Sequence, residues 1–379
     1  MNSSIITQYY SYSAPSLKER ILGLLQQLPM THKVLSISLF GTSSNEDYHT
    51  ELAEMRTHIR AHLQYLPLIT YIVQPLPQSD GLAMEVHSFI QGGDISSLPI
   101  VECPNGVRYV PISLSDRELF LVEGVVSNSF DKPMRQQSVE VFERIEELLK
   151  SLDLTPSNII RQWNYIGNIT KVAHGEQHYQ AFNDARSAFY AKDEWANGYP
   201  AATGIGTSCD GVVVSFVAYR GVTNESSRAI DNPLQIAAHA YNKRVLIGDE
   251  VAQKTTPKFE RAKTLVYSDN RSICFVSGTA AIRGEDSLNS ADAAEQTRLT
   301  IENIEYLISD ENMNRHNSRA RDLKMVSARV YVKRPEDFEA VRSAVESRYS
   351  DLQMVIVEAD VCRSELLVEI EGVAKGGVL

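Results

Sequence analysis

The chain has 379 residues, and 37 Lys+Arg against 48 Asp+Glu leave a formal charge of −11. That sum excludes a general nucleic-acid binder, because counterion release at phosphates needs a basic face. Hydrophobic residues at 43% and charged residues at 22% exclude a disordered scaffold, and the length exceeds what one core usually serves, so two domains are expected.

Residues 1–13 are rich in Ser and Tyr and lack a basic segment leading into an apolar run, so they do not read as a secretory signal, and the protein is expected in the cytoplasm. Residues 33–40 alternate like a strand, residues 45–64 have helical character, and residues 66–74 are apolar and β-rich before a Pro-punctuated loop at 74–81. Two extended runs at 108–126 precede apolar residues at helical spacing over 138–152. Thr155-Pro156-Ser157 breaks that pattern, which places a domain boundary near residue 152 and divides the chain into 1–152 and 153–379. The second half reads as strands at 159–169, 211–219, 272–278, 325–332, 353–358 and 365–373, with helices at 177–190, 290–307 and 335–348. Strands alternating with helices of this length indicate a βαβ arrangement, and no run approaches the roughly 18 apolar residues of a membrane span.

Several chemistries lack their motif. Gly204-Ile-Gly206 fits neither dinucleotide nor phosphate-loop spacing and reads as a loop, and no GxSxG or HExxH appears. Cys103, Cys209, Cys274 and Cys362 are far apart without CxxC pairing, so neither a disulfide nor a metal is expected.

The last strand is more informative. Its period of two puts Val368 and Ile370 on one face and Leu367, Glu369 and Glu371 on the other. Two carboxylates on one face, roughly 6.5–7 Å apart by strand rise, hinder each other's ionisation when water is excluded, so one can stay protonated and act as a general acid. The alternative is a solvent-facing edge strand whose acids do nothing. Cys362 and Glu369 are an odd number of residues apart, but a turn at Arg363-Ser364 would bring both to one pocket; otherwise Cys362 is a small buried hydrophobe. Asn183, Arg186 and Tyr190 share a helical face, and Arg161, Asn164 and Tyr165 lie on the preceding strand. An Arg fork there serves either a surface ion pair or a carboxylate ligand.

Together, Arg161-Gln-Trp-Asn-Tyr-Ile166, Tyr179-Gln-Ala-Phe-Asn-Asp-Ala-Arg186, Asp231-Asn-Pro-Leu-Gln235, Phe275-Val-Ser-Gly-Thr-Ala-Ala-Ile282, Glu295 to Glu305 and Val361 to Ala374 resemble the RidA/YjgF fold and, in combination, the chorismatases. These enzymes remove the enolpyruvyl group of chorismate as pyruvate. The resemblance covers about residues 155–375 and is weak in the N-terminal half. It implies an α+β protein of two RidA/YjgF-like (chorismate-mutase-like) βαβ domains, the first degenerate, working without a cofactor.

The resemblance also implies a dicarboxylate pocket in which Glu369, the first Glu of Glu-x-Glu, protonates the enol-ether methylene, with Val368 and Ile370 helping to exclude water. Arg186, Arg261, Tyr165, Tyr241, Gly278, Thr279 and Arg363 are the implied substrate contacts. Members that yield a cyclohexadiene diol carry Ala at two distinguishing positions, whereas 3-hydroxybenzoate formers carry Gly and Cys; this chain has Gly278 and Cys362. The thiol would assist aromatisation as nucleophile or proton shuttle. The family pattern after Asn-Pro, a Tyr-Pro run with Gly-Pro-Arg, is replaced here by Ala240-Tyr-Asn-Lys-Arg244, which leaves open whether Arg186 or Arg261 takes the enolpyruvyl carboxylate and whether 4-hydroxybenzoate is also released. The alternatives are a hydrolase yielding the diol and a RidA-like imine-hydrolysing or small-ligand-binding protein. A homotrimer is expected by analogy with RidA-like proteins alone, with no nucleic-acid or membrane partner.

Overall fold

The computed structural model describes residues 4–29, 31–90, 99–114, 116–236, 255–284, 286–288 and 292–379. The first sheet is built from β1 (Ser4–Tyr12), β2 (Lys33–Phe40), β3 (Leu68–Ile72) and β4 (Leu82–Ile90), in the order β1-β4-β2-β3, with helices α1 (Leu17–Leu25) and α2 (Tyr48–Leu63). The second contains β5 (Val101–Glu102), β6 (Arg108–Ser113), β7 (Glu118–Val126), β8 (Ile159–Gly167), β11 (Ala201–Thr207) and β12 (Val212–Arg220), in the order β11-β8-β12-β7-β6-β5. It carries α3 (Met134–Ser151) and α4 (His178–Tyr190), with a small hairpin of β9 (Val172–Ala173) and β10 (Glu176–Gln177).

The third sheet, in the order β13-β14-β15-β20-β18-β19, uses β13 (Ser227–Ile230), β14 (Ala262–Val266), β15 (Arg271–Ala280), β18 (Ala320–Val332), β19 (Gln353–Glu358) and β20 (Val368–Val378). Helices α5 (Ala293–Leu307), α6 (Asp310–Arg315) and α7 (Phe338–Arg348) and the short pair β16 (Ile282–Arg283) and β17 (Asp286–Ser287) complete it.

One strand-helix-strand-helix-strand-strand topology occurs three times: β1-α1-β2-α2-β3-β4, β7-α3-β8-α4-β11-β12 and β15-α5-β18-α7-β19-β20. In each repeat the second and third strands are parallel across a helix. The fourth runs antiparallel between the first and second. The α+β class and the RidA-like unit stand, but three units replace the expected two. Residue 152 lies inside the second repeat, where β7 on one side pairs directly with β12 on the other, so a cut there would split a sheet.

Each sheet buries one face under its own helices and turns the other toward the centre. Along β12, Val212, Val214, Phe216 and Ala218 pack under α3 and α4, while Val213, Val217 and Tyr219 join Leu35 and Phe40 of the first sheet and Phe275 and Tyr331 of the third in a central core. Burial on both faces is why this strand reads as a continuous apolar run. Glycines 204 and 206 stand in β11, not in a loop. Glycine is needed at 206, where the Asp360 carbonyl would lie 2.8 Å from a Cβ, while at 204 the nearest atom, Tyr179 Cε2, would be at 3.4 Å, an ordinary contact. Among the described residues no helix is long and apolar enough to cross a membrane.

Candidate functional site

The candidate site lies between the second and third repeats. The N-terminal part of α4 contributes Gln177, Tyr179, Gln180 and Asn183; β11 contributes Ala202 and Gly204; and the third repeat supplies Arg261, Gly278, Cys362, Arg363 and Glu369 around a cavity of about 70 Å³. Pro257, Phe259, Ala280 and Leu366 make its apolar wall.

Glu369 is buried, and β20 presents it on the same face as Glu371, as the period of two requires. Opposite them β15 bulges: Val276 pairs with Gly372 but Thr279 pairs with Ile370, so one extra residue is accommodated at Ser277-Gly278. The bulge exposes Gly278 backbone to the Glu369 carboxyl. A Cβ at 278 would overlap Oε1 and stand 2.9 Å from Cδ. Burial first, and then the charge of Glu371, raise the Glu369 pKa to about 8 against the opposing pull of Arg261 and Arg161.

Glu371 is the ion-paired member of the two. Arg161 and Thr203 donate to its Oε2, and Tyr331 at 2.7 Å and Arg329 at 3.5 Å donate to its Oε1. Arg329 in turn places Nε and Nη2 on the two oxygens of Glu85 at 2.7 and 2.8 Å, so the first repeat braces the acid pair from behind. Thr203 also accepts the Gly278 N–H at 3.1 Å, tying the bulge to the same group.

Cys362 and Glu369 do meet in one cavity, brought together by the irregular segment before β20. Burial, followed by the Glu369 charge, pushes the Cys362 thiol up to about 12, so it is a thiol and not a thiolate at neutral pH. A thiol in this state is a poor nucleophile and keeps its proton available for transfer. Arg261 donates to the Ile236 carbonyl at 2.8 Å with its guanidinium 5.5 Å from the Phe259 ring centre, and Arg363 donates to Ser287 Oγ at 3.0 Å.

Not all of the expected residues reach the cavity. Arg186 stands behind it, buried, donating to Asn183 Oδ1 at 2.6 Å, while Asn183 hydrogen-bonds the Tyr179 phenol. Tyr165 points to the central core and takes a hydrogen bond from Arg329, because from residue 161 onward the odd positions of β8 face the centre and the even ones face α4. Thr279 folds its Oγ1 back to the Ser277 carbonyl at 2.9 Å. Val368 and Ile370 lie on the helix side of β20, so the dry wall is Phe259, Ala280 and Leu366 instead. Tyr241 lies outside the described residues.

The sequence reading passed over Tyr179, Gln180 and Thr203, and gave Glu371 no counter-ions. Tyr179 and Asn183 at i,i+4 on α4 were the available signal.

The family description "Chorismatase FkbO/Hyg5-like, N-terminal" matches residues 109–218, and "Endoribonuclease L-PSP" matches 262–375. A 3-hydroxybenzoate synthase of Streptomyces hygroscopicus is 34% identical over 279 residues, 71% of this chain and 76% of that protein. A chorismatase of the same organism is 31% identical over 275 residues, 71% of this chain and 74% of that one. A chorismatase crystal structure superposes with a TM-score of 0.69 at 23% identity, covering 98% of this chain and 99% of its own. With a relative above 30% identity aligned over three-quarters of its length, and with its fold matched throughout, the chain belongs to the chorismatase family.

Proposed function

We propose that the protein converts chorismate to pyruvate and 3-hydroxybenzoate, with Glu369 as the acid. The observation that carries this reading is a buried carboxyl held protonated near neutral pH, pressed on Gly278 beside a fully paired carboxylate. Glu369 gives its proton to the enol-ether methylene carbon, and the positive charge collects at the ether-bearing carbon of the side chain. The bond from that ether oxygen to ring carbon C3 then breaks, and its electrons leave with pyruvate. The ring C4 hydroxyl oxygen closes on C3 and gives up its proton, which restores Glu369; the epoxide then opens at its C4–O bond, the C3 hydrogen leaves as a proton, and the oxygen on C3 takes up a proton to give the phenol. No water is consumed, since pyruvate and 3-hydroxybenzoate together have the formula of chorismate.

Cys362 carries a proton during aromatisation, a task suited to a thiol that stays protonated. Arg261 and Arg363 border the cavity and are the groups proposed to hold the substrate carboxylates. Arg186 acts through Asn183 and Tyr179 as a positioning residue. The cavity of about 70 Å³ is smaller than the roughly 150 Å³ that accommodates a benzene ring, so the substrate must part its walls on entry. Both walls come from one chain, and the reading requires no second subunit to complete the pocket.

The test is incubation of the purified protein with chorismate, adding no metal or nucleotide, with products resolved by chromatography and pyruvate assayed in parallel. Equimolar pyruvate and 3-hydroxybenzoate are expected. A cyclohexadiene diol would overturn the product assignment, and absence of pyruvate would overturn the reading.

A further inference from the structure

A second cavity of about 130 Å³ lies where the three sheets face one another, and it shares no lining residue with the pocket around Glu369. Its walls are mostly apolar and aromatic: Leu119, Leu121, Trp163, Val217, Tyr219 and Phe275. Its charged groups are Arg161, Arg329, Glu85 and Glu371, with Thr7, Tyr9, His87, Tyr267 and Ser327 as further polar lining, while Lys375, exposed, reaches the Ile5 carbonyl at 3.3 Å beside it. Three cations against two carboxylates leave one positive charge in surplus.

Lys375 supplies that surplus, and Arg161 adds an unmet hydrogen-bond donor. Glu85 is occupied by Arg329 and Glu371 is shared by Arg161 and Arg329, yet Arg161 Nη1, fully buried, has no hydrogen-bond acceptor among the described residues. A buried guanidinium N–H without an acceptor is costly, and an anion would relieve it. The Arg161 guanidinium also lies 4.7 Å from the Trp163 ring centre, so a flat ligand entering beside Trp163 would meet the cation edge-on. Aromatic walls and a buried guanidinium N–H without an acceptor select a ligand of one flat ring and one negative charge, and at about 130 Å³, against the roughly 150 Å³ that accommodates a benzene ring, the walls must give a little to admit it.

We propose that this central cavity binds a small aromatic monocarboxylate, its ring against Trp163 and Phe275 and its carboxylate on Arg161. Because Arg161 also holds Glu371, occupancy is coupled to the pocket on the other side of that carboxylate, and by linkage the coupling is reciprocal. The ligand class follows from the cavity; only its identification with the enzyme's own product rests on the function proposed above.

The test reads Trp163 emission without chorismate, so its outcome is independent of turnover. The chain has two tryptophans, and in Trp195→Phe only Trp163 remains to report. Titration with benzoate or 3-hydroxybenzoate is expected to give a saturable change in emission. Filling the cavity with Val217→Phe should abolish it while chorismate turnover persists. Lys375→Met, at an exposed position that folding does not depend on, should weaken binding roughly threefold to fivefold. Tighter binding of 3-hydroxybenzoate than of benzoate would assign the site to product, and equal or weaker binding to another aromatic acid; both support the proposal. No saturable change up to 10 mM of either acid, a signal that survives Val217→Phe, or equal binding of neutral benzyl alcohol would overturn it.

Discussion

Replacing Glu371 with Gln tests the electrostatics of the acid pair most directly. Residues two apart on a strand stand roughly 7 Å apart, and a unit charge at that distance in an effective dielectric of about 20 contributes about 2 kcal/mol, or about 1.7 pH units. Deleting the Glu371 charge also leaves Arg161 facing Glu369 without its counter-ion, and Arg161 already opposes the elevation. Both effects favour the ionised form of Glu369. Turnover requires the protonated form, so activity is present below the Glu369 pKa and lost above it. The alkaline limb of kcat/KM against pH should therefore fall from about 8 to about 6 or lower in Glu371→Gln. Glu371→Asp, which keeps the charge, should leave the limb close to that of the parent. Because breaking a buried pair costs about 3–5 kcal/mol, the profile should be taken at low temperature with circular dichroism confirming the fold. A folded Glu371→Gln enzyme whose limb stays at 8 or moves upward would refute the idea that Glu371 tunes the acid.

Three further variants test the same geometry. Glu369→Gln should abolish pyruvate release while chorismate affinity, measured by calorimetry, changes only a few-fold; lost affinity would contradict its role as acid. The same variant should be more stable than the parent at alkaline pH. The folded chain keeps the Glu369 proton up to about 8 and the unfolded chain releases it near 4.5, so the parent loses stability as pH rises between those values, by roughly 3–5 kcal/mol, and the Tm difference should widen from pH 5 to 8 and then level. Gly278→Ala places a methyl group on the carboxyl, costing about 1–3 kcal/mol of stability. Displacing the acid by about 1 Å should lower kcat on the order of 10²-fold, and an unchanged kcat would show that Glu369 does not need this contact. Cys362→Ala should retain pyruvate release but divert the ring product from 3-hydroxybenzoate toward the diol; an identical product mixture by chromatography would remove the thiol from the mechanism.

The strands legible in the sequence were those buried on both faces, such as β12 and β19, and the acid pair was legible because a period of two is a local property. What escaped was non-local. β1, Ser-Ile-Ile-Thr-Gln-Tyr-Tyr-Ser-Tyr, has no clean period of two and becomes a strand by pairing with β4, far along the chain. β11 looked like a loop because of its glycines, and the one at 206 answers to a neighbour beside β19, which composition does not reveal. The counter-ion of Arg329 is Glu85, 244 residues away in another repeat, so no spacing rule could have joined them. Tyr165 was misplaced by one step of the pleat: its neighbours on β8 face α4, and it faces the centre.

Three repeats on one polypeptide also free the seams between them from symmetry. In a ring of identical subunits every substitution is copied at each junction, so an acid introduced at one appears at all. Here the junctions have diverged. That between the second and third repeats carries Glu369, whereas that between the first and second is plugged by Tyr48, Tyr71 and Phe130, with Tyr48 and Phe130 ring centres 4.8 Å apart. Covalent fusion thus lets one junction differ from another, and it lets the first repeat, which contributes no lining residue to the Glu369 cavity, brace the acid pair through Glu85.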